Sequence, residues 1–440
     1  MGLFRDIISF SELVFALAKS PSARAQLKIV LARKPIEDLS AAMSGRDSID
    51  VKTLLETLSV EELSRTAEEY FQQHRDVDDH FAKPFNSAKD APDLLIEFSH
   101  VLAGLNPPHG STVLDFGAGT CWAARFLTQM GHAVTAMDVS PSALEVGREL
   151  FRRLPISGHH IPPTFLVFDG RRFDLADESV DRIVCLNAFH HVPNAAEVLR
   201  EMARVLKPGG IAGFSEPGPG HSRSPQSQYE MRHFKVIEND IVIEDIERWA
   251  LAAGFERLEL AVIDSRSYRL GWPDYQNLVS GGIVAEQYID FVRIAAASRR
   301  AFFLYKAGAA PADSRLREGL KGAVRVRLDS VHAAAGAVFR GEAEVVNTGI
   351  SEWLPSDAPF GPVLLGVHLL TRDGILLNRD FGRIRLPGGI APGESARFPF
   401  TVPAPPAGEF RLVFDLVSER VCWFEMNGTE PVVIDVSVES

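Results

Sequence analysis

An apolar run that ends in an acid and opens directly into a glycine-rich bend limits this chain more than any other feature. It reads Val113-Leu-Asp-Phe-Gly-Ala-Gly-Thr-Cys-Trp, and a helical stretch with Ala123, Ala124, Phe126 and Leu127 follows. Gly117 and Gly119 let the backbone turn tightly and come close to a ligand. Around this bend, strand-like runs alternate with helical patterns. The candidate strands are 112–116, 133–138, 164–169, 182–187, 211–216, 258–263 and 301–305. Helical stretches at 141–153 and 195–206 lie between them, the second with Val198, Leu199, Met202, Val205 and Leu206 on one stripe. The alternation predicts βαβ units around a mostly parallel, doubly wound sheet of seven strands. Such sheets bind ligands in the crevice at the carboxyl ends of their strands.

Polar residues collect at those ends. The second strand closes on Asp138-Val139, the third on Asp169-Gly170, the fourth on Asn187 followed by His190-His191, and the fifth on Glu216. An acid about 20 residues after a glycine turn suits a ribose diol, because a carboxylate accepts from both hydroxyls. Ser140 reads as an N-cap with Pro141 at the first helical position. Any one of these acids alone could be a cap or turn residue. Together, at one edge of one sheet, they outline a site. A nicotinamide enzyme is disfavoured, since G-x-G-x-x-G fails at Trp122.

These motifs resemble the class I S-adenosylmethionine-dependent methyltransferases of the type 11 branch. Leu114-Asp115-Phe-Gly117-Ala118-Gly119, Asp138-Val-Ser140-Pro141, His190-His191 and Arg204-Val-Leu-Lys207-Pro208-Gly209-Gly210 carry the likeness over about 200 residues. The resemblance implies S-adenosyl-L-methionine as cofactor. It also implies Gly117, Ala118 and Gly119 under the methionine part and Asp115 near its amino group. Asp138 with Val139 falls to the ribose, Asp169 with Gly170 to the adenine, and Asn187 to the methionine end. A third glycine frequent in the family is replaced by Cys121, which leaves the fine shape of the loop open. Trp122 packs either on the cofactor or in the core.

Other regions differ in texture. Residues 1–94 read as a helical N-terminal region, with Leu54, Leu55, Leu58, Leu63 and Phe71 at helical spacing and a capping sequence at Ser59. This region is read as a cap or oligomerisation element, with a lid or acceptor-binding element as the alternative. The methyltransferase domain is expected over 95–306 and a linker over 307–321. An Ig-like β-sandwich is expected over 322–440, where short apolar runs alternate with Asn347-Thr-Gly, Asp373-Gly, Pro392-Gly and Asn427-Gly. That last stretch resembles domains appended to bacterial enzymes of polysaccharide assembly. Trp353, Trp423 and Phe424 either fill its core or stack on sugar rings.

Composition sets outer bounds. The chain has 440 residues, a formal charge of −12 and a globular balance of apolar and charged residues. So acidic a chain has no global electrostatic reason to bind nucleic acid. Cys121, Cys185 and Cys422 lie far apart with no zinc spacing, which points to a reduced, cytoplasmic protein, and no metal is expected. The N-terminus is no clean signal peptide and no run is long enough to span a membrane, so membrane contact is at most peripheral.

A sulfonium methyl is already activated, so the enzyme chiefly aligns a nucleophile and excludes water. If the nucleophile is a hydroxyl, the candidate bases are His191 first, then His190 and Glu216. His221 and Tyr229 lie in the segment 217–240, a candidate lid. The appended sandwich favours a sugar hydroxyl of a surface glycan or lipid-linked oligosaccharide as acceptor. The alternatives are a small metabolite, with the sandwich as a dimerisation module, and a non-catalytic glycan-binding scaffold.

Overall fold

The computed structural model describes residues 48–440, apart from 74–76, 159, 264–266 and 310–311. The expectations placed on 1–47 lie outside the described residues. Four helices come first: α1 (Val51–Thr57), α2 (Val60–Gln73), α3 (Val77–Ala82) and α4 (Ala91–Leu105). Asp50 caps α1, accepting from the Lys52 N–H at 3.0 Å. Ser59 and Glu62 form the reciprocal box at the start of α2: Glu62 N donates to Ser59 Oγ, and Ser59 N donates to Glu62 Oε2.

A seven-stranded sheet follows, built from β1 (Thr112–Phe116), β2 (Ala133–Asp138), β3 (Thr164–Val167), β4 (Val180–Leu186), β5 (Leu206–Pro217), β6 (Phe255–Ala261) and β7 (Arg299–Lys306). Its order is β3-β2-β1-β4-β5-β7-β6. All pairs are parallel except those of β7, which runs antiparallel to β5 and β6. This is the Rossmann-like methyltransferase arrangement, with each strand overlapping the run the sequence marks. The strand order reverses between β1 and β4, with successive strands added on one side and then the other, so a crevice opens there at the strand tips.

Helices cover both faces because both faces of β1 are apolar. Leu114 and Phe116 pack with α7 (Ala195–Val205) and α9 (Ile243–Ala253). Val113 packs on the other face with Phe98, Val101 and Leu105 of α4, Ala123, Ala124 and Leu127 of α5 (Trp122–Gln129), and Leu144 of α6 (Pro141–Arg153). The stripe Val198, Leu199 and Met202 of α7 is fully buried, so propensity and packing agree there. The remaining helices are α8 (Pro225–Phe234), α10 (Trp272–Val279) and α11 (Ile283–Ser298). The Arg204-Val-Leu-Lys-Pro-Gly-Gly stretch works as a clamp. Arg204 reaches the Phe173 and Leu175 carbonyls and the Glu201 and Asp177 carboxylates, while Lys207 Nζ lies 2.9 Å from Asp181 Oδ1.

Beyond residue 312 the regular elements are strands, apart from a short 3-10 turn at Phe424–Asn427: β8 (Gly322–Leu328), β9 (His332–Ala334), β10 (Val338–Asn347), β11 (Val363–Thr371), β12 (Leu376–Arg385), β13 (Ser395–Pro403), β14 (Gly408–Ser418), β15 (Cys422–Trp423) and β16 (Val432–Glu439). One sheet has the order β13-β10-β8. The other runs β12-β11-β14-β16-β9, with β15 on β14. A single apolar core lies between them, consistent with a β-sandwich. Gly374, Gly393 and Gly428 take φ of +90°, +83° and +82° in the connecting turns, the left-handed geometry that glycine adopts without strain. Part of the expected linker is well packed: Leu320 is buried, and Ser314 Oγ donates to the Gly361 carbonyl. The two regions touch where the His109 ring meets Phe360 edge-on at 4.8 Å. Among the described residues, no helix is long and apolar enough to cross a membrane.

Candidate active site

The bend after β1 is built from three successive left-handed or tight positions. Gly117 and Gly119 have φ of +69° and +51°, and Cys121 has φ of +67° just before α5. A Cβ on Gly117 would fall 2.3 Å from Cβ of Ala188, so only glycine fits. Cys121 stands where the family frequently has glycine and adopts a glycine-like angle. Its Sγ fills the space over Gly147 of α6, where any Cβ would meet it at 2.4 Å. That buried packing offsets a cost of about 1 kcal/mol for the left-handed angle.

The bend and β2 are tied together. Gly117 N and Ala118 N donate to the Met137 carbonyl, and Gly119 N donates to Asp138 Oδ2 at 2.8 Å. Asp138 Oδ1 accepts from Ser140 N at 2.9 Å, and Ser140 Oγ caps α6 through Ala143 N. Asp138 is only 8% exposed, and each oxygen keeps a second lone pair. Its carboxyl lies above the usual range, because burial outweighs these N–H donors. Asp115 is deeper, at 2% exposure, and its Oδ2 has no hydrogen-bond partner. Burial, with the like charge of Asp138 added, pushes its carboxyl up to about 7. An orphaned buried carboxylate, a glycine cradle and a half-satisfied Asp138 suit a cationic, hydroxyl-bearing ligand.

A cavity of about 300 Å³ opens at this edge. Gly117, Ala118, Gly119, Asp138, Val139, Gly170, Asn187 and His191 line it on the strand side, together with Phe116, Phe168 and Trp122. Trp122 also packs edge-on against Phe98 and Phe126, so it serves both cavity and core. Asp115, Asp169, His190 and Glu216 do not line it. Asp169 is turned away because its Oδ1 accepts from the N–H groups of Arg171 and Arg172, which leaves its neighbours Phe168 and Gly170 facing the cavity. Glu216 is fully buried: Ala188, Phe189 and His190 donate backbone N–H groups to it, and His190 Nδ1 lies 2.7 Å from its Oε2. His221 pairs with Glu238 at 2.6 Å, and Tyr229 is exposed against His233; neither lines the cavity.

Among the described histidines, His191 alone reaches the cavity wall. Its Nδ1 lies 2.5 Å from the Ile237 carbonyl, which can only accept, so Nδ1 carries the proton and Nε2 presents a lone pair. Asn187, with φ of +51°, is held by Glu97, which accepts from its Nδ2 at 2.8 Å, and by Arg299, which donates to its Oδ1. Glu97 and Arg299 also pair with each other.

The opposite wall comes from segments with no sequence motif. Val60, Leu63, Ser64, Ala67, Tyr70 and Phe71 of α2 face the cavity, as do Lys83, Leu94, Glu230, Val236 and Ile237. Glu68 fastens α2 to the start of α6, accepting from Ser140 Oγ at 2.6 Å, Ser142 Oγ at 2.5 Å and Ser142 N at 3.1 Å. Burial holds the Lys83 ammonium below the usual lysine range, against the pull of Asp79. The amphipathic spacing of Leu63 and Phe71 was the only available signal for this wall, and it cannot tell a cavity from a core.

The Methyltransferase domain family model matches residues 114–214, which run from the first strand through the fifth. A demethylmenaquinone methyltransferase of Renibacterium salmoninarum is 32% identical over 40% of this chain and 73% of its own length. The chain belongs to the class I S-adenosylmethionine-dependent methyltransferases. It is an enzyme of that class, and S-adenosyl-L-methionine is its cofactor. Methyltransferase GfsG of Streptomyces halstedii is 38% identical over 37% of this methyltransferase chain, which spans 59% of that relative's length. A solved phosphoethanolamine N-methyltransferase 2 of Haemonchus contortus, in complex with phosphomonomethylethanolamine and S-adenosylhomocysteine, aligns at 19% identity over 58% of this chain and 61% of that one. Its TM-score is 0.40, a likeness too weak to argue from. The methyltransferase match leaves the C-terminal sheets uncovered.

Proposed function

We propose that this methyltransferase acts on a small, largely apolar acceptor of the phenol or quinol kind, with His191 taking the acceptor's proton. The observation that carries the reading is the contrast across the cavity. Glycines and the Asp138 carboxylate form one side, and a mainly apolar wall from α2 and Val236-Ile237, with Ser64, Tyr70, Lys83 and Glu230 as its polar members, forms the other. A sugar needs polar partners for its hydroxyls, which this second wall offers sparsely. The named relatives point the same way, one being a demethylmenaquinone methyltransferase and another a 2-methyl-6-phytyl-1,4-hydroquinone methyltransferase. The glycan acceptor loses its aromatic support, because Trp353 and Phe424 are buried in the sandwich core and Trp423 is buried on the other face of its sheet, against Gly366 and His368 and beneath Arg379 and Arg383. Trp353 and Phe424 pack edge-on in that core at 5.4 Å.

In this reading Asp138 receives the ribose hydroxyls, Gly117 to Gly119 run beneath the methionine part, and Asp115 lies behind the bend near its cationic end. Asn187, locked by Glu97 and Arg299, closes the methionine end. Phe168, Val139 and Gly170 flank the adenine, and the Asp169 side chain is left out because it is spent in its own turn. When bound, the cofactor supplies an electrophilic methyl carried on a sulfonium. His191 Nε2 accepts the acceptor's proton, while Nδ1–H holds the ring against Ile237. Lys83, partly stripped of water, favours an acceptor oxygen that gains negative charge. The apolar wall excludes bulk water. Neither His190 nor Glu216 is retained as the base, since both are buried off the cavity.

Methyl-labelled cofactor incubated with hydroquinones, simple phenols, nucleotide sugars and oligosaccharides tests this. Labelled hydroquinone or phenol products are expected. Label appearing only in the sugars would overturn the acceptor assignment.

A further inference from the structure

Beside the cavity, with His191 and Glu230 on its wall, three imidazoles and three carboxylates meet. His190 sits on the short turn after β4, whereas His221, Glu230 and Glu238 belong to the segment that follows β5. His190 Nε2, His221 Nε2 and a Glu238 oxygen all lie within 4.8 Å of one another. Glu238 Oε2 is 2.6 Å from His221 Nε2 and 3.8 Å from His190 Nε2. At 3.8 Å no hydrogen bond joins the latter pair.

The ring of His190 is oriented from behind. Glu216 already accepts three backbone N–H groups, and its Oε2 lies 2.7 Å from His190 Nδ1. A carboxylate that can only accept fixes the proton on Nδ1 and turns Nε2, as a lone pair, toward Glu238. This carboxylate–histidine arrangement is the one that supports metal-bound imidazoles. Glu230 lies hydrogen-bonded beside Glu238, so two acids share one half-buried spot. Ser227 Oγ, 3.2 Å from Glu238 Oε2 and 3.4 Å from His221 Nε2, adds a hydroxyl.

We propose that His190, His221 and Glu238 bind one divalent transition ion, with zinc the best match to two imidazoles and a carboxylate. Zinc binds such donors at about 2.0–2.2 Å, which sets them roughly 3.4 Å apart in a tetrahedron. The observed 2.6 Å and 3.8 Å separations, with all three donors within 4.8 Å of one another, come within about 1.5 Å of that spacing. Water or Ser227 completes the fourth position. The ion fastens the segment carrying Glu230, Val236 and Ile237 to the turn carrying His191, and so holds the acceptor wall in place. It takes no part in the methyl transfer itself.

The full-length chain, stripped with a chelator and then titrated with Co²⁺ and with Zn²⁺, provides the test. One equivalent per chain is expected, with visible d–d bands for Co²⁺. His221→Ala, at a partly exposed position, and Glu238→Gln are each expected to lose it while circular dichroism stays unchanged. Glu216→Gln is expected to weaken binding by roughly 10–100-fold, as for a group that orients a ligand. A folded wild-type chain that takes up neither ion overturns the proposal. So does metal uptake unchanged in both His221→Ala and Glu238→Gln. Neither readout depends on the acceptor.

Discussion

The two walls of the cavity are made in opposite ways. The strand-side wall is local: Gly117, Gly119 and Asp138 sit in two short stretches joined by adjacent parallel strands, and backbone N–H groups do much of the holding. The helix-side wall is assembled at long range. Thr66 of α2 donates to the Lys235 carbonyl across a sequence separation of 169, and Gln228 Nε2 donates to the Ile49 carbonyl across 179. The first wall presents charge and geometry, which suit one fixed ligand. The second presents apolar surface, which can change with the acceptor without disturbing the sheet. Such a division separates cofactor binding from acceptor choice.

The comparison breaks if one wall's variants show the other wall's phenotype. The largest effect is expected for His191→Gln: kcat falls roughly 10²–10⁴-fold, the usual weight of a general base, while the cofactor Kd from isothermal titration stays within about threefold. Rate loss matched by an equal loss of cofactor affinity would make His191 a cofactor-binding residue and not the base. Asp138→Ala comes next. Losing two hydrogen bonds to a carboxylate is expected to raise the cofactor Kd by about 100-fold, near 3 kcal/mol, in a chain that still folds. Normal affinity in the folded variant would remove Asp138 from the cofactor's wall. Phe71→Ala sharpens the opposite side. It should raise the acceptor KM about tenfold, through lost apolar contact, and leave the cofactor Kd unchanged.

A pH effect is the smallest and arises from Asp115, behind the first wall. Asp115 titrates at about 7 in the fold against an ordinary 3.8, mainly because burial disfavours its charge. The folded chain therefore holds a proton that the unfolded chain has released between those values, and stability falls as pH rises from about 4 through 7. Asp115→Asn lacks this dependence. Its thermal midpoint is expected to gain roughly 3–6 °C on the wild type between pH 5 and pH 8 without cofactor. A constant difference across that range would show that Asp115 is already ionised.

Legibility in the sequence follows the same division. The strands of the first sheet, the glycine bend and the acids at the strand tips are written in contiguous runs, where period and spacing translate directly into local geometry. Asp169 shows the limit of that translation. A residue at a strand tip can turn into its own loop, and only the backbone path beyond it decides. Glu216 and His190 show another limit, since one-dimensional order marks an acid and a histidine as reactive when the fold has buried them as a mutual brace. Glu97 and Arg299, which fix Asn187, stand far apart in the chain and carry no local pattern.

The sequence alone determined the Rossmann-like sheet, its order of elements and the glycine bend after β1, because short-range sterics and hydrophobic period leave few alternatives. Only the tertiary structure decided which histidine faces the cavity, that Trp353 and Phe424 are sandwich core, and which helix lines the cavity's second wall. Those outcomes depend on burial, and burial is set by contacts between residues from tens to more than a hundred positions apart.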